Sequence, residues 1–222
     1  MEKQQSGNLF AAADLYKSLE KALPASVSEN DVNIAILLSD GESVLKSKKQ
    51  QKKLKELVQK IRGNVSLYTA TAGTGNNNSF LNMLSSLCGG KFLYSDTHAS
   101  FPRRLAKLVL DLRHPVSTHV EVTAFPADRD TQITLSSAPP LLYVSQPYTI
   151  VGTCDDLSDF SLIIEGKHDD EWMRIEKQIS FSNAKTGGKD LEKKWSDVEA
   201  QKLYELFLKE GDISHFEKAN SK

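Results

Sequence analysis

The sequence feature that most constrains the fold is an apolar run that ends abruptly in a polar turn. Residues 32–39 read Val-Asn-Ile-Ala-Ile-Leu-Leu-Ser, and Asp40-Gly41 follow. Continuous Ile, Leu and Val runs are typical of parallel strands that are covered on both faces. We therefore expect this strand at the centre of a sheet, with Asp40 at the point where the chain leaves it. Asp40 is then either a cation ligand or a turn former, since ligands bind beyond such strand ends and Asp-Gly is a common turn dipeptide.

Helices and strands alternate over the first half of the chain. Apolar residues recur at helical spacing from Leu9 to Leu23, and three strand-helix units follow. Such alternation predicts right-handed crossovers and a parallel, partial Rossmann-like α/β sheet. The predicted segments are a strand at 32–39, a helix at 46–62, a strand at 65–71, a helix at 79–87, a strand at 91–94 and a helix at 100–113.

The helix at 46–62 is amphipathic and strongly basic. Its apolar stripe is Leu54, Leu57, Val58 and Ile61, and eight basic residues against Glu56 alone give it a local charge of +7. A solvated helix face explains that charge, and an anionic partner surface is the alternative. The exposed candidates for such a partner surface are Lys48, Lys49, Lys52 and Lys53.

A glycine-containing loop follows the second strand. Residues 72–78 read Ala-Gly-Thr-Gly-Asn-Asn-Asn and lead into the next helix, as a phosphate-binding loop would. The third glycine and the acidic residue of a dinucleotide fingerprint are absent. We therefore expect Gly73, Thr74 and Gly75 to form the rim of a site rather than a nucleotide loop.

The sequence pattern changes at residue 114. Short strand-like segments at 120–124, 131–135, 148–152, 160–165 and 172–176 are separated by Pro, Asp and Gly clusters. They predict a small antiparallel β-sandwich. A last helix places Leu191, Trp195, Val198, Leu203, Leu206 and Phe207 along one side, ends at Gly211, and precedes a shorter helix at 214–219. We expect Trp195 to anchor this helix in the core, against the sandwich or the sheet. The predicted division is an α/β domain at 1–113, a sandwich at 114–185 and a helical segment at 186–222.

Composition excludes several classes of protein. The 222 residues include 28 basic and 29 acidic ones, so the net charge of −1 gives no case for nucleic acid. No apolar run approaches the roughly 20 residues that cross a bilayer, and residues 1–7 lack a signal-peptide segment. The compartment is left open. Two cysteines, Cys88 and Cys154, with no paired histidines make structural zinc or a disulfide framework unexpected.

Several motifs resemble the later half of a von Willebrand factor type A (vWA) domain. They are Asn8-Leu9-Phe10-Ala11-Ala12-Ala13-Asp14-Leu15, Leu37-Leu38-Ser39-Asp40-Gly41-Glu42, Tyr68-Thr69-Ala70-Thr71-Ala72-Gly73-Thr74-Gly75, and Phe80-Leu81-Asn82-Met83-Leu84 before Gly89-Gly90. The region from Pro115, with residues 139–143, Val151-Gly152 and Trp195, is similar to the β-sandwich that follows this domain in inter-alpha-trypsin inhibitor heavy chains.

The resemblance implies a divalent-cation site on top of the sheet. In the family the cation is held by an Asp-x-Ser-x-Ser loop, a Thr before a helix and the Asp that matches Asp40. Here no Asp-x-Ser-x-Ser exists, and Ser6 is the only hydroxyl adjacent to the Thr position. Asp40 and Ser6 would therefore be ligands only if upstream residues completed the set, with Gly41, Glu42, Gly73, Thr74 and Gly75 on the rim. We expect a piece of a larger protein; a truncated version with a degenerate site is the alternative.

Three functional classes follow from these observations. We expect a non-enzymatic protein-interaction module of vWA descent with an incomplete metal-ion-dependent adhesion site, which binds no cofactor by itself and Mg²⁺ or Ca²⁺ only when completed. A metal-independent scaffold is the alternative, and a hydrolase or nucleotide-binding protein is less favoured because catalytic signatures are absent. If the first family strand is missing, the strand at 32–39 also has an unpaired edge and could self-associate.

Overall fold

A computed structural model describes residues 15–23, 32–41, 48–128, 131–136, 138–144, 146–169 and 171–221. The helices within these ranges are α1 (Leu15–Ala22), α2 (Lys48–Ile61), α3 (Asn78–Leu87), α4 (Phe101–Leu112), α5 (Lys189–Glu210) and α6 (Ile213–Asn220), with a 3₁₀ turn at Phe181–Asn183. The strands are β1 (Ile34–Leu38), β2 (Ser66–Ala72), β3 (Phe92–Ser95), β4 (Pro115–Pro126), β5 (Ile133–Leu135), β6 (Leu142–Tyr143), β7 (Gly152–Cys154), β8 (Phe160–His168) and β9 (Glu171–Ile179).

The α/β part is built on a three-stranded parallel sheet in the order β1-β2-β3. Ile34 pairs with Ser66, and Thr69 pairs with Phe92, with no shift in register along either pair. The alternation of strands and helices therefore gives the mixed α/β, partial Rossmann-like fold that the sequence predicts.

The apolar run that ends at Asp40 does not occupy the centre of the described sheet, contrary to expectation. β2 is the middle strand, and six of its seven residues are buried. β1 pairs only with β2 among the described residues, and 55% of Leu38 is exposed. An apolar run indicates that its side chains can be buried, but it does not indicate where the strand lies in the order of the sheet. Whether the strand at 32–39 self-associates stays a prediction.

The main core lies on one face of the parallel sheet. The predicted stripe of α2 is buried there, and Leu54, Val58 and Ile61 are each at most 1% exposed. On the opposite face Tyr68 packs with Leu112 of α4 and with segments that follow it in the chain. The main core comprises Leu15, Tyr16, Leu19, Leu23, Leu54, Leu57, Val58, Ile61, Val65, Leu67, Phe80, Leu81, Met83, Leu84, Leu87, Cys88, Tyr204, Phe207, Leu208 and Ala219.

The antiparallel part consists of a four-stranded sheet in the order β6-β4-β8-β9 and a two-stranded ribbon of β5 and β7. Predicted strands at 120–124, 131–135, 160–165 and 172–176 coincide with β4, β5, β8 and β9. The predicted strand at 148–152 is wrong except at Gly152, where β7 begins. The Tyr148 hydroxyl donates instead to the Pro139 carbonyl at 2.8 Å, which fixes this stretch as a packed loop.

The C-terminal helices complete the main core of the parallel sheet. α5 ends at Gly211, whose φ of 79° is left-handed, and α6 begins after Asp212, whose carboxylate accepts the Ser214 amide. The side of α5 that is buried was only partly predicted: Val198 and Phe207 are buried, whereas 52% of Leu191 and 38% of Leu206 are exposed.

Trp195 is only half-buried and lies under the Lys202 amine, 5.3 Å from the ring centroid. The prediction that it anchors the last helix in the core is therefore corrected; the anchor is Phe207. Arg62, which follows α2, donates to Glu205 of α5 at 2.8 Å, so the two helices are also joined at their surface. The domain limits at 113 and 185 stay predictions. None of the described helices is long and apolar enough to span a membrane.

Candidate functional site

The candidate site lies at the edge of the parallel sheet where its strands end. Because β1, β2 and β3 are parallel, the loops that follow Leu38, Ala72 and Ser95 meet at one edge. Asp40 follows β1 and is exposed there. Sequence reasoning placed Asp40 at this edge, and the topology agrees with it.

The loops after β1 and β2 are held together by backbone hydrogen bonds. The Asn77 amide donates to the Asp40 carbonyl at 2.7 Å. The Gly41 amide donates to the Ser39 hydroxyl at 3.1 Å, which tightens the turn. The predicted turn-forming role of the Ser-Asp-Gly sequence is therefore present whether or not the Asp40 carboxylate also binds a ligand.

Gly41 is required by this junction for two reasons. Its φ is +73°, a left-handed conformation that residues with a side chain rarely adopt. A Cβ at this position would also lie 2.8 Å from the Asn77 carbonyl oxygen. Only glycine therefore lets the loop after β1 approach the start of α3 this closely.

The loop after β2 is ordered by its own polar side chains. Asn76 donates through Nδ2 to the carbonyls of Ala72 and Gly73, at 2.9 and 3.0 Å. Asn77 accepts the Phe80 amide through Oδ1 at 3.1 Å and so caps α3. Gly73, Thr74 and Gly75 are thus fixed in one conformation beside the Asp40 turn.

The loop after β3 forms the far side of the site. The Gly73 amide donates to the Ser95 carbonyl at 3.0 Å, and the Ser95 hydroxyl lies 2.7 Å from that of Ser100. The His98 ring covers Gly73, where a Cβ would lie 2.8 Å from Nε2. Neither His98 nor Asn77 was among the site residues predicted from the sequence. Their position in loops after parallel strands was the signal that could have identified both.

The structure brings together some of the predicted site residues and not others. Gly41, Gly73, Thr74 and Gly75 lie at the same edge as Asp40 through the contacts above. Ser6 and Glu42 lie outside the described residues. The basic candidates lie on α2: Lys48, Lys49 and Lys52 are on its surface, and the Lys53 amine is 6.0 Å from the Tyr16 ring centroid.

The described side chains alone do not form a complete cation site. Within the described ranges, no three His, Cys, Asp or Glu side chains converge in a way that could hold a metal ion. Mg²⁺ needs near-octahedral oxygen ligands and Ca²⁺ needs six to eight, so the Asp40 carboxylate by itself is insufficient. Asp40 fits such an ion only as one ligand among others.

Two cavities in the described part of the chain lie away from this edge. One of about 320 Å³ lies at the opposite end of the strands, beside Asn33, Val65 and Gly90. A second of about 230 Å³ is lined by Lys91, Tyr143, Tyr148 and Lys194. Burial, and then the charge of Lys194, lowers the pKa of Lys91, while burial raises the pKa of Tyr148 to about 12. At the Asp40 edge, the described residues Asp40, Thr74 and His98 are exposed.

Comparisons with known proteins give only structural likenesses. No protein-family model matches the sequence, and no curated protein matches it significantly. The structure is similar to that of a von Willebrand factor type A protein from Catenulispora acidiphila, with 13% identity and a TM-score of 0.49 over 78% of this chain and 48% of that one. It is also similar to the ArnB paralog VWA2 from Sulfolobus acidocaldarius, with 15% identity and a TM-score of 0.42 over 92% of this chain and 56% of that one. The chain thus spans about half the length of each solved structure.

Proposed function

We propose that this chain is a non-enzymatic protein-interaction module of vWA descent, whose adhesion site at Asp40 is incomplete and is completed by residues beyond those of this chain. The observation that carries the proposal is the position of the Ser39-Asp40-Gly41 turn. It follows β1 at the edge where the loops after all three parallel strands meet. In open α/β sheets this edge is where ligands bind.

The exposure of the described loop residues at this edge supports a protein partner. Asp40, Thr74 and His98 belong to loops on three neighbouring strands, and Asp40 and His98 are exposed. In the vWA resemblance, a carboxylate from the partner completes the coordination of the cation at this position. We further propose that the antiparallel sheet after residue 114 corresponds to the β-sandwich that follows the vWA domain in inter-alpha-trypsin inhibitor-like proteins.

Titration calorimetry with Mg²⁺ and Ca²⁺ tests the proposed site. We expect the chain alone to bind either ion with a dissociation constant above about 100 μM, because Asp40 supplies one carboxylate where the family's site uses several oxygens. When a segment carrying Asp-x-Ser-x-Ser is supplied upstream, we expect a saturable site that Asp40→Asn removes. Asp96→Asn is the matched control, because Asp96 follows β3 as Asp40 follows β1. Tight binding by the chain alone, or equal effects of the two variants, would contradict the proposal.

A metal-independent scaffold is the second candidate, and one observation favours it. The loops at the edge are joined directly by hydrogen bonds from the Asn77 amide to the Asp40 carbonyl and from the Gly73 amide to the Ser95 carbonyl. Partner binding that persists in excess chelator and in Asp40→Asn would select this candidate. We also propose that neither form is catalytic; reproducible turnover in a hydrolase or nucleotidase screen, lost in a site variant, would refute that.

A further inference from the structure

The described structure leaves one long strand without a neighbour on its outer side. β9 is the last strand of the four-stranded sheet and pairs only with β8 among the described residues. Its first eight residues, Glu171 to Gln178, are all exposed, so the outer edge is open to solvent. The pairing with β8 continues from His168 and Glu171 to Phe160 and Ile179 without a shift, so no bulge turns this edge away. Proteins normally protect such edges, because their free backbone groups can pair with another strand.

Besides charged residues, β9 exposes three large apolar side chains. Trp172 is 63% exposed, Ile175 is 53% exposed and Met173 is 40% exposed. Alternation along a strand places Met173, Ile175 and Ile179 on one face and Trp172, Arg174 and Glu176 on the other. The strand contains no proline or glycine that would prevent pairing.

We propose that β9 pairs antiparallel with β9 of a second copy of this chain, in the register that places Ile175 opposite Ile175. The proposal does not depend on the function proposed above. In this register Arg174 of each copy lies opposite Glu176 of the other, so two opposite-charge pairs form across the new interface. Directly opposite residues of opposite charge stabilise an antiparallel pair, and like charges destabilise it.

Charge selects this register over its neighbours. Along a strand, the backbone N–H and C=O groups of every second residue point towards the neighbouring strand. The register between the two copies of β9 can therefore change only in steps of two residues if the hydrogen bonds are kept. One such step places Arg174 opposite Arg174, which offsets one of the two Glu171–Lys177 pairs that the same step forms. The step in the other direction places Glu176 opposite Glu176 and forms no opposite-charge pair. The register centred on Ile175 avoids both repulsions and pairs all nine residues of β9.

The partner of this edge is inferred to be a second copy because the strand is complementary to itself. Arg174 already lies between two acids within its own chain, 3.6 Å from Glu165 and 3.6 Å from Glu176. The second copy brings a further Glu176 to each Arg174 and leaves no charged group of β9 opposite a like charge. Pairing also joins the two four-stranded sheets into one continuous sheet.

Sedimentation velocity over a dilution series tests the proposal. We expect the chain to dimerise with rising concentration.

The charge test uses a Glu165→Gln background, which removes the acid of β8 that faces Arg174 and leaves the outer edge intact. In that background Arg174→Glu places a carboxylate opposite Glu176 twice and should weaken dimerisation at least about tenfold. Adding Glu176→Arg restores opposite charges and should restore the dimer; circular dichroism confirms that each variant is folded.

Disulfide crosslinking between two copies tests the register directly. In a Cys154→Ser background, Ile175→Cys should form an intermolecular disulfide under mild oxidation, because directly opposite residues have Cα atoms within disulfide reach. Arg174→Cys and Glu176→Cys, made one at a time, are the matched controls, because each new thiol faces a different residue of the second copy. A monomer at all concentrations overturns the proposal. So does a dimer that is insensitive to Arg174→Glu and is not crosslinked through position 175, a result that would point to another edge such as that of β1.

Discussion

The assignment of Phe207 rather than Trp195 as the anchor of α5 makes a direct prediction about stability. Phe207 is 2% exposed and its ring lies 5.8 Å from that of Phe216. Truncation to Ala leaves a cavity between α5, α6 and the rest of the main core. Buried Phe→Ala changes reduce the free energy of unfolding by about 3–5 kcal/mol, through lost transfer energy and the cavity.

Leu206 and Trp195, which lie on the same helix, provide control substitutions. Leu206 is 38% exposed, so Leu206→Ala creates no enclosed cavity and should reduce the free energy of unfolding by less than about 1 kcal/mol. Trp195 is half-buried and contacts Lys202, 5.3 Å from its ring centroid. Loss of an exposed cation-π contact accounts for about 0.5–1 kcal/mol, so Trp195→Ala should lie well below Phe207→Ala.

Urea unfolding followed by far-ultraviolet circular dichroism measures all three variants. With a slope of about 2 kcal/mol per molar, Phe207→Ala should lower the midpoint by about 1.5–2.5 M at an unchanged slope. The reasoning is refuted if Phe207→Ala shifts the midpoint no more than Leu206→Ala does. It is also refuted if Trp195→Ala is the most destabilising of the three.

Two further predictions concern the turn at the site and a buried thiol. Gly41→Ala and Gly63→Ala both place a side chain at a positive φ, but only at Gly41 would the new Cβ meet a neighbouring atom, so calorimetric melting should show Gly41→Ala as the more destabilising by at least about 1 kcal/mol. Equal losses would contradict the close approach of Asn77. Burial raises the pKa of Cys88 from about 9 to about 12, opposed by Arg62, so its proton is held in the folded state and lost earlier in the unfolded state. The free energy of unfolding should therefore fall as pH rises from about 9 towards 12, and it should fall less in Cys88→Ala. In a Cys154→Ser background, Ellman's reagent should modify Cys88 only when the protein unfolds. Rapid modification of the native protein would show that the thiol is accessible and would contradict its burial.

The parts of the fold that follow from local pattern could be predicted from sequence. Helical spacing of apolar residues predicts that one side of α2 is buried, and that side is buried in the structure: Leu54, Leu57, Val58 and Ile61. The Ser-Asp-Gly sequence after an apolar run places Asp40 at a strand end. Both inferences need only the chain within a few residues of the feature.

The parts that depend on distant contacts could not be predicted. The place of β1 at the edge of the described sheet depends on its neighbours and not on its composition. α5 has 22 residues and is about 33 Å long, so it extends past the core that it covers. Leu191, in its first turn, is as apolar as the buried residues and is exposed for that reason alone. The approach of His98 to Gly73 depends on how two loops meet in space.

The core of the parallel sheet is shared by segments that are far apart along the chain. Phe207 and Ala219 pack in the same cluster as Leu54 and Leu81, and the whole antiparallel part lies between them in sequence. During synthesis from the N-terminus, the parallel sheet and α3 therefore leave the ribosome well before α5 can pack against α3. Contacts of such long range are slow to form, since a large loop must close first. We expect the nascent α/β part to expose the apolar surface of α3 that α5 covers until α5 has emerged.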